Sequence, residues 1–124
     1  MPRLEHVLAD LAAVPGARAA AFAGLDGLLV DEVAAASGGL EDVDLDGAVV
    51  ELTHAWNAVR RASAEHLAGG VDDELLLSGP RGVVVARLVA GRWFAFLWAE
   101  PDVDLATARA ALARAAGGLA EVVE

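Results

Sequence analysis

The hydrophobic positions at the start of the chain follow a helical repeat that ends abruptly. Apolar residues at the spacing i, i+3, i+4 and i+7 predict an amphipathic helix over residues 3–13, and they are Leu4, Val7, Leu8 and Leu11. Pro15-Gly16 comes directly after it. Proline lacks the N–H that another helical turn needs, and glycine tolerates a positive φ, so the helix is expected to end here.

The next apolar residues form two short runs with a turn between them. These runs are Ala17–Gly24 and Leu28–Val33, and Asp26-Gly27 lies between them. An Asp-Gly pair between apolar runs is a strong signal for a β-hairpin, because both residues accept the positive φ of a tight turn. The sequence therefore predicts two antiparallel strands. Ser37-Gly38-Gly39 then breaks the pattern.

A long amphipathic helix is predicted from Asp44 to Leu67. Its inward stripe is expected to contain Leu45, Val49, Leu52, Trp56 and Val59. Beside that stripe lies a shoulder of small residues seven positions apart, Ala48, Ala55 and Ala62. The opposite side is polar and comprises Glu51, His54, Asn57, Arg61 and Glu65. The shoulder would either pack on the chain's own sheet or let a second helix approach closely, and the sequence does not decide between the two.

The second half of the chain predicts three strands and a last helix. Gly69-Gly70 ends the long helix, and the predicted strands are Glu74–Ser78, Gly82–Val89 and Arg92–Ala99. Turns are expected at Gly79-Pro80-Arg81-Gly82 and at Ala90-Gly91. The last helix starts at Asp102 or Asp104 and runs to Val122, with an inward side of Leu105, Ala108, Leu112, Ala115 and Leu119.

These elements predict an α+β fold in the order αββαβββα. The apolar runs 83–89 and 93–98 are nearly continuous, which is typical of strands that are covered on both faces. A five-stranded antiparallel sheet with helices on both faces satisfies this pattern. No linker or repeat interrupts the chain, so residues 1–124 are expected to form one domain.

Composition and charge exclude several classes of function. The formal net charge is −10, and the nine cationic residues are all arginines scattered along the chain. Neither nucleic acid nor an anionic membrane is expected as a partner, because such binding needs clustered cations. No apolar run approaches the roughly 18 residues of a membrane span. The absence of lysine excludes any lysine mechanism, and the absence of cysteine excludes thiolate chemistry and fits a cytoplasmic protein.

Candidate metal and catalytic motifs are incomplete. Asp42, Asp44 and Asp46 match the opening of an EF-hand loop, but Thr53 stands where the bidentate glutamate should be. Asp44 is better interpreted as the N-cap of the long helix. His6, His54 and His66 have no metal-ligand spacing. Phosphate-binding and nucleophile-elbow motifs are also absent, so the sequence assigns no catalytic residue, no metal and no cofactor.

The remaining features indicate association with another protein. The strand from Glu74 to Ser78 is short and apolar, and it is expected at an edge of the sheet, where strands attract partners. Arg87 stands within an apolar strand and is expected to cap an edge or reach an interface. If the edge strand and the alanine shoulder are both shared with a second copy, a symmetric dimer follows. The candidate interface residues are Ala48, Ala55, Ala62, Glu74, Leu76 and Ser78.

The order and spacing of these elements resemble the roadblock family, which has a profilin-like architecture. The family contains roadblock-type dynein light chains and bacterial regulators of Ras-like GTPases. The resemblance rests on Leu4–Leu11, Val14-Pro15-Gly16-Ala17, Leu25-Asp26-Gly27-Leu28, the alanine-rich second helix, the runs Leu75–Ser78, Gly82–Leu88 and Phe94–Ala99, and Pro101-Asp102. It spans nearly the whole chain but contains no invariant chemical motif.

The resemblance implies a homodimer in which third strands pair across a two-fold axis and second helices pack side by side. It also implies a non-enzymatic cytoplasmic regulator or scaffold of a small Ras-like GTPase, with GTPase activation as a possible role. One alternative is a generic adaptor or sensor that binds a kinase or another scaffold protein. A second alternative is a small-molecule binding domain that uses Phe94, Phe96 and Trp98, although core packing explains these aromatic residues better.

Overall fold

The computed structural model describes residues 3–36, 43–67 and 74–123. In chain order the elements are α1 (Leu4–Ala12), β1 (Ala17–Gly24), β2 (Leu29–Ala34), α2 (Leu45–His66), β3 (Glu74–Gly79), β4 (Gly82–Val89), β5 (Trp93–Ala99) and α3 (Leu105–Val123). The predicted order αββαβββα is confirmed. The predicted breaks at Ser37-Gly38-Gly39 and Gly69-Gly70 lie outside the described residues, as does Asp42.

The five strands form one antiparallel sheet in the order β2-β1-β5-β4-β3. Each of the pairs β1–β2, β3–β4 and β4–β5 joins strands that are consecutive in sequence, whereas β1 pairs with the distant β5. The third strand therefore lies at one edge of the sheet, as the sequence predicts, and β2 forms the other edge.

Two hydrophobic cores lie on opposite faces of this sheet. On one face, α1 and α3 pack over residues such as Phe22, Val85 and Leu97. On the other face, α2 packs alone and places Trp56 against Phe94, with ring centroids 5.4 Å apart. The alternation of side chains along each strand thus supplies both cores, which confirms the prediction of helices on both faces.

The tight turns form where the sequence places glycine. Gly16, after α1, has a φ of +90°, and Gly27, in the β1–β2 hairpin, has a φ of +91°. Side chains are strained in this region of φ, so glycine is the natural residue at both positions. In the hairpin, the Asp26 carboxylate also accepts a hydrogen bond of 3.1 Å from the Leu28 N–H. The predicted Asp-Gly turn is confirmed.

Two residues expected on inward faces are exposed. Val59 in α2 is 41% exposed, because it lies at the flank of the helix beyond the buried arc that contains Leu52 and Trp56. Leu105 in the first turn of α3 is 38% exposed, because it lines an open groove with Leu76 at the sheet edge. Among the described residues, no helix combines the length and apolar character needed to cross a bilayer.

Candidate interaction surface

The β3 edge exposes more apolar side chain than its neighbours in the sheet. Leu76 and Leu77 are each 45% exposed, whereas Val83 and Val85 on the adjacent strand β4 are buried. Beyond Glu74, β3 carries no charged residue. An edge strand with this composition has no electrostatic protection against pairing with another strand.

The β3–β4 turn determines which backbone groups of β3 face outward. Gly79 lies opposite Gly82 across a two-residue turn, Pro80-Arg81. In such a hairpin the flanking pair is hydrogen bonded, and bonded and non-bonded pairs then alternate along the ladder. Glu74, Leu76 and Ser78 therefore direct their N–H and C=O groups away from β4, toward the open edge.

The side chains of β3 divide between the two faces of the sheet. Leu75 and Leu77 lie opposite Ala86 and Val84, which places them on the α2 face. Leu76 lies opposite Val85, which belongs to the core beneath α1 and α3. By alternation, Glu74 and Ser78 share that face with Leu76.

The six candidate interface residues thus do not share one side of the sheet. The alanines at 48, 55 and 62 belong to α2, which covers one face, whereas the side chains of Glu74, Leu76 and Ser78 lie on the other. Leu75 packs against the core beneath α2 and Leu77 shares its face of the sheet, and sequence reasoning selected neither residue. Their register with β4 identifies them, and the strand sequence alone did not determine which leucines face α2.

The alanine shoulder of α2 faces away from the sheet along most of its length. Ala55 and Ala62 are exposed and Ala48 is half-buried. Val59 extends this exposed apolar strip. Of the two alternatives, packing on the chain's own sheet is excluded at Ala55 and Ala62, so a second helix has room to approach there.

A bidentate ion pair links the beginning of β3 to α3. Arg109 donates to both carboxylate oxygens of Glu74, at 3.0 Å from Nε and 2.9 Å from Nη2. The hydrogen bonds from Arg109 lower the pKa of Glu74, and the charges of Arg109 and Arg87 lower it further. Arg87 lies on β4, one strand in from the edge and opposite Glu74, so it does not itself cap the edge, and a role at an interface stays a prediction. Arg109 was missed because nothing local links it to a residue 35 positions away.

The open groove at the β3–β4 turn combines aromatic, aliphatic and cationic groups. It encloses about 450 Å³ and includes Leu77, Val84 and Trp98 among its lining residues. The Arg18 guanidinium lies 4.8 Å from the Trp98 ring centroid, and its Nε donates to Glu100 at 2.7 Å. These contacts hold the groove wall in place beside the open edge.

The loop that resembles a calcium site instead starts α2. Asp44 Oδ1 accepts a hydrogen bond of 2.9 Å from the Gly47 N–H, which confirms its predicted N-cap role. Thr53, at the position of the missing glutamate, is buried and donates its hydroxyl to the Val49 carbonyl at 2.7 Å. Within residues 3–36, 43–67 and 74–123, no three His, Cys, Asp or Glu side chains cluster as metal ligands would.

The aromatic residues proposed for a small-molecule site belong mainly to the core. Phe94 and Phe96 are almost fully buried and stack with ring centroids 6.1 Å apart. Only Trp98, at the other end of β5, is partly exposed. Because α2 covers the two phenylalanines, they are not available to line a ligand pocket.

Comparisons with known proteins find likeness in structure rather than in sequence. No protein-family model matches the chain, and no curated protein matches it significantly. An MglB structure described as having a tetrameric arrangement aligns with a TM-score of 0.87 and 20% identity, over 97% of this chain and 87% of that one. The gliding protein MglB from Thermus thermophilus aligns with a TM-score of 0.87 and 19% identity, over 96% of this chain and 87% of that one.

A roadblock domain is among the similar structures. The Roadblock/LC7 domain from Streptomyces avermitilis aligns with a TM-score of 0.84 and 15% identity, over 98% of both chains. An alignment over 98% of this chain takes in all three helices and all five strands described above. The chain therefore has the fold of the roadblock family.

Proposed function

We propose that this protein is a non-enzymatic, homodimeric regulator or scaffold of a small Ras-like GTPase, and that it acts in the cytoplasm. The observation that carries the proposal is the open apolar edge of β3 on a roadblock fold. The unprotected edge and the exposed shoulder of α2 together offer a surface for a second copy of the chain. The tetrameric arrangement described for one MglB structure fits self-association of this fold.

The formal charge of −10 supports a protein partner over nucleic acid or an anionic membrane. A GTPase as that partner rests on the family resemblance, and the absence of cysteine fits a cytoplasmic location. The sequence contains no G-x-x-x-x-G-K-[ST] motif and no lysine, and the proposed role is regulation or scaffolding of the partner's reaction.

The direct test uses the purified full chain and the small Ras-like GTPase encoded nearest to its gene. We expect light scattering to give a dimer mass, and we expect the affinity for the GTPase to depend on whether GTP or GDP is bound. Hydrolysis rates with and without the chain then separate an activator from a scaffold.

The result that overturns the GTPase role is a pull-down from the native cells whose specifically bound proteins lack a GTP-binding sequence. Recovery of a kinase or another scaffold would favour the adaptor alternative. A monomer whose melting temperature rises with a small molecule would favour the ligand-binding alternative.

A further inference from the structure

We infer that the open groove at the β3–β4 turn is a docking site for an acidic partner peptide, one in which a large apolar side chain stands between carboxylates. The floor of the groove is apolar and its charged lining residues are arginines, so both parts of such a peptide have a counterpart there. The site uses side chains on one face of the sheet rather than the backbone edge of β3. The inference is therefore separate from the proposed homodimer and GTPase role.

The floor of the groove is a row of three side chains on three neighbouring strands. Val84 of β4 lies opposite Leu77 of β3 on one side and opposite Trp98 of β5 on the other. Strands are about 4.8 Å apart, so the row is about 10 Å wide, enough for one large apolar side chain. Leu77 is 45% exposed, and Val84 and Trp98 are partly exposed. A partner that covers this row removes apolar surface from water, which favours binding.

The Trp98 end of the groove is fixed by contacts within the chain. The Arg18 guanidinium lies 4.8 Å from the Trp98 ring centroid, and its Nε donates to Glu100 at 2.7 Å. A guanidinium carries five N–H donors, so this bond leaves the Nη groups of Arg18 for a carboxylate of the partner. Because these side chains are already ordered, a partner loses less conformational entropy when it binds here.

Charge distinguishes the groove from the rest of the chain. The formal net charge is −10, yet Arg18 and Arg81 line the groove, and no acidic side chain of the described residues does so. Arg81 is exposed in the turn, and within residues 3–36, 43–67 and 74–123 no carboxylate pairs with it. An acidic peptide is attracted to this groove and repelled by most of the remaining surface, which directs it to one position.

The open shape of the groove favours a peptide over a free small molecule. Sites for small molecules enclose most of the ligand's surface. Here Leu77 and Arg81 stay open to solvent on the side of the turn. A peptide can place one apolar side chain on the floor, pair its carboxylates with the arginines at the rim and keep its other residues in water.

Selection from a displayed library of random short peptides on the full chain tests this chemistry. We expect the enriched peptides to share one large apolar residue with an acidic residue on each side. The dissociation constant of an enriched peptide, measured by fluorescence polarisation, should rise at least tenfold in Arg81→Glu and should also rise with salt. Arg92→Glu is the matched control and should bind like the wild type, because Arg92 is an exposed arginine next to the turn at the other end of β4.

A second pair of measurements tests the apolar floor. Leu77→Ser should weaken binding of the same peptide several-fold, and its circular dichroism should match the wild type, because Leu77 is 45% exposed. Replacement of the peptide's apolar residue by serine should abolish binding to the wild-type chain. Binding that survives both changes would overturn the assignment of the row as the floor of the site.

Three further results would overturn the docking role. A library that yields no acidic consensus, or an equal loss of binding in Arg81→Glu and Arg92→Glu, would exclude charge recognition at this groove. A change in the mass of the chain alone in Arg81→Glu, seen by light scattering, would assign the groove to self-association. Displacement of the peptide by an equal concentration of phenylacetate, a small aromatic carboxylate, would assign it to small molecules.

Discussion

The two edges of the sheet have opposite character, although both belong to short strands of six residues. In β2, Phe22 lies opposite Asp31 and Ala23 opposite Leu29, so Val30 is an extra residue that breaks the ladder. Asp31 and Glu32 follow, and the Asp31 carboxylate accepts a hydrogen bond of 2.8 Å from the Glu32 N–H. In β3, the register with β4 is unbroken from Glu74 to Gly79.

The β2 edge is therefore protected against pairing with another strand, and the β3 edge is not. Three features discourage edge-to-edge pairing: a β-bulge, adjacent charged residues, and a side chain that accepts a hydrogen bond from a backbone N–H of the strand. The protected edge has all three, and β3 lacks them. Charge reinforces the contrast, because residues 19–59 contain eight acidic residues and no cation. Self-association through β2 would therefore oppose like charges.

Of the substitutions predicted here, Leu76→Asp should weaken self-association through β3 the most. Where two β3 edges pair around Leu76, it places two carboxylates directly opposite each other, and like charges that face each other across a strand pair are destabilising. We expect the dimer dissociation constant to rise by about tenfold, measured by sedimentation, because two facing like charges and the loss of the leucine contacts weaken the pairing by about 1–2 kcal/mol.

The monomer fold should survive this change, because Leu76 is 45% exposed within one chain. Circular dichroism should therefore match the wild type. Val30→Asp, at a residue of similar exposure on β2, is the matched control and should keep the wild-type mass. A dimer of unchanged affinity in Leu76→Asp would exclude β3 as the interface.

Removal of the two acidic side chains that protect the β2 edge should have an intermediate effect on self-association. The double substitution Asp31→Leu and Glu32→Leu deletes two charges and the side chain that occupies the Glu32 N–H. We expect species larger than the dimer, whose fraction grows with concentration in size-exclusion chromatography. A control with the same loss of charge, Glu5→Leu and Glu121→Leu on helices, should not form them. Equal association in both variants would mean that net charge, rather than edge protection, keeps β2 unpaired.

Much of this contrast could be predicted from sequence, because it depends on local signals. The Asp26-Gly27 and Gly79–Gly82 turns located the hairpins, and the short apolar run from Glu74 to Ser78 predicted an edge strand. The N-cap role of Asp44 was equally local, since the carboxylate bonds three residues ahead.

Features that depend on three-dimensional register could not be predicted in the same way. A strand of three leucines does not reveal which leucine faces α2, because a shift of one position exchanges the faces. Val59 fits the inward stripe by angle, yet only the width of contact between α2 and the sheet decides its 41% exposure. The pairing of Glu74 with Arg109 needs the end of β3 and the first half of α3 to meet in space.

The ion pair between Glu74 and Arg109 should contribute the smallest of the three effects, because the Arg109 side chain is 59% exposed to solvent, although that of Glu74 is only 20% exposed. Arg109→Gln should lower the melting temperature at pH 7 by a few degrees at most. The pKa of Glu74 is lowered in the folded chain, so its stabilisation is complete above the ordinary value of 4.5 and is lost as the pH falls through the lowered value. The difference in melting temperature between wild type and variant should therefore close under acid. Arg114→Gln, on the same helix, should show no such pH dependence, and an equal loss in both variants would mean that general charge, not the anchor on β3, is responsible.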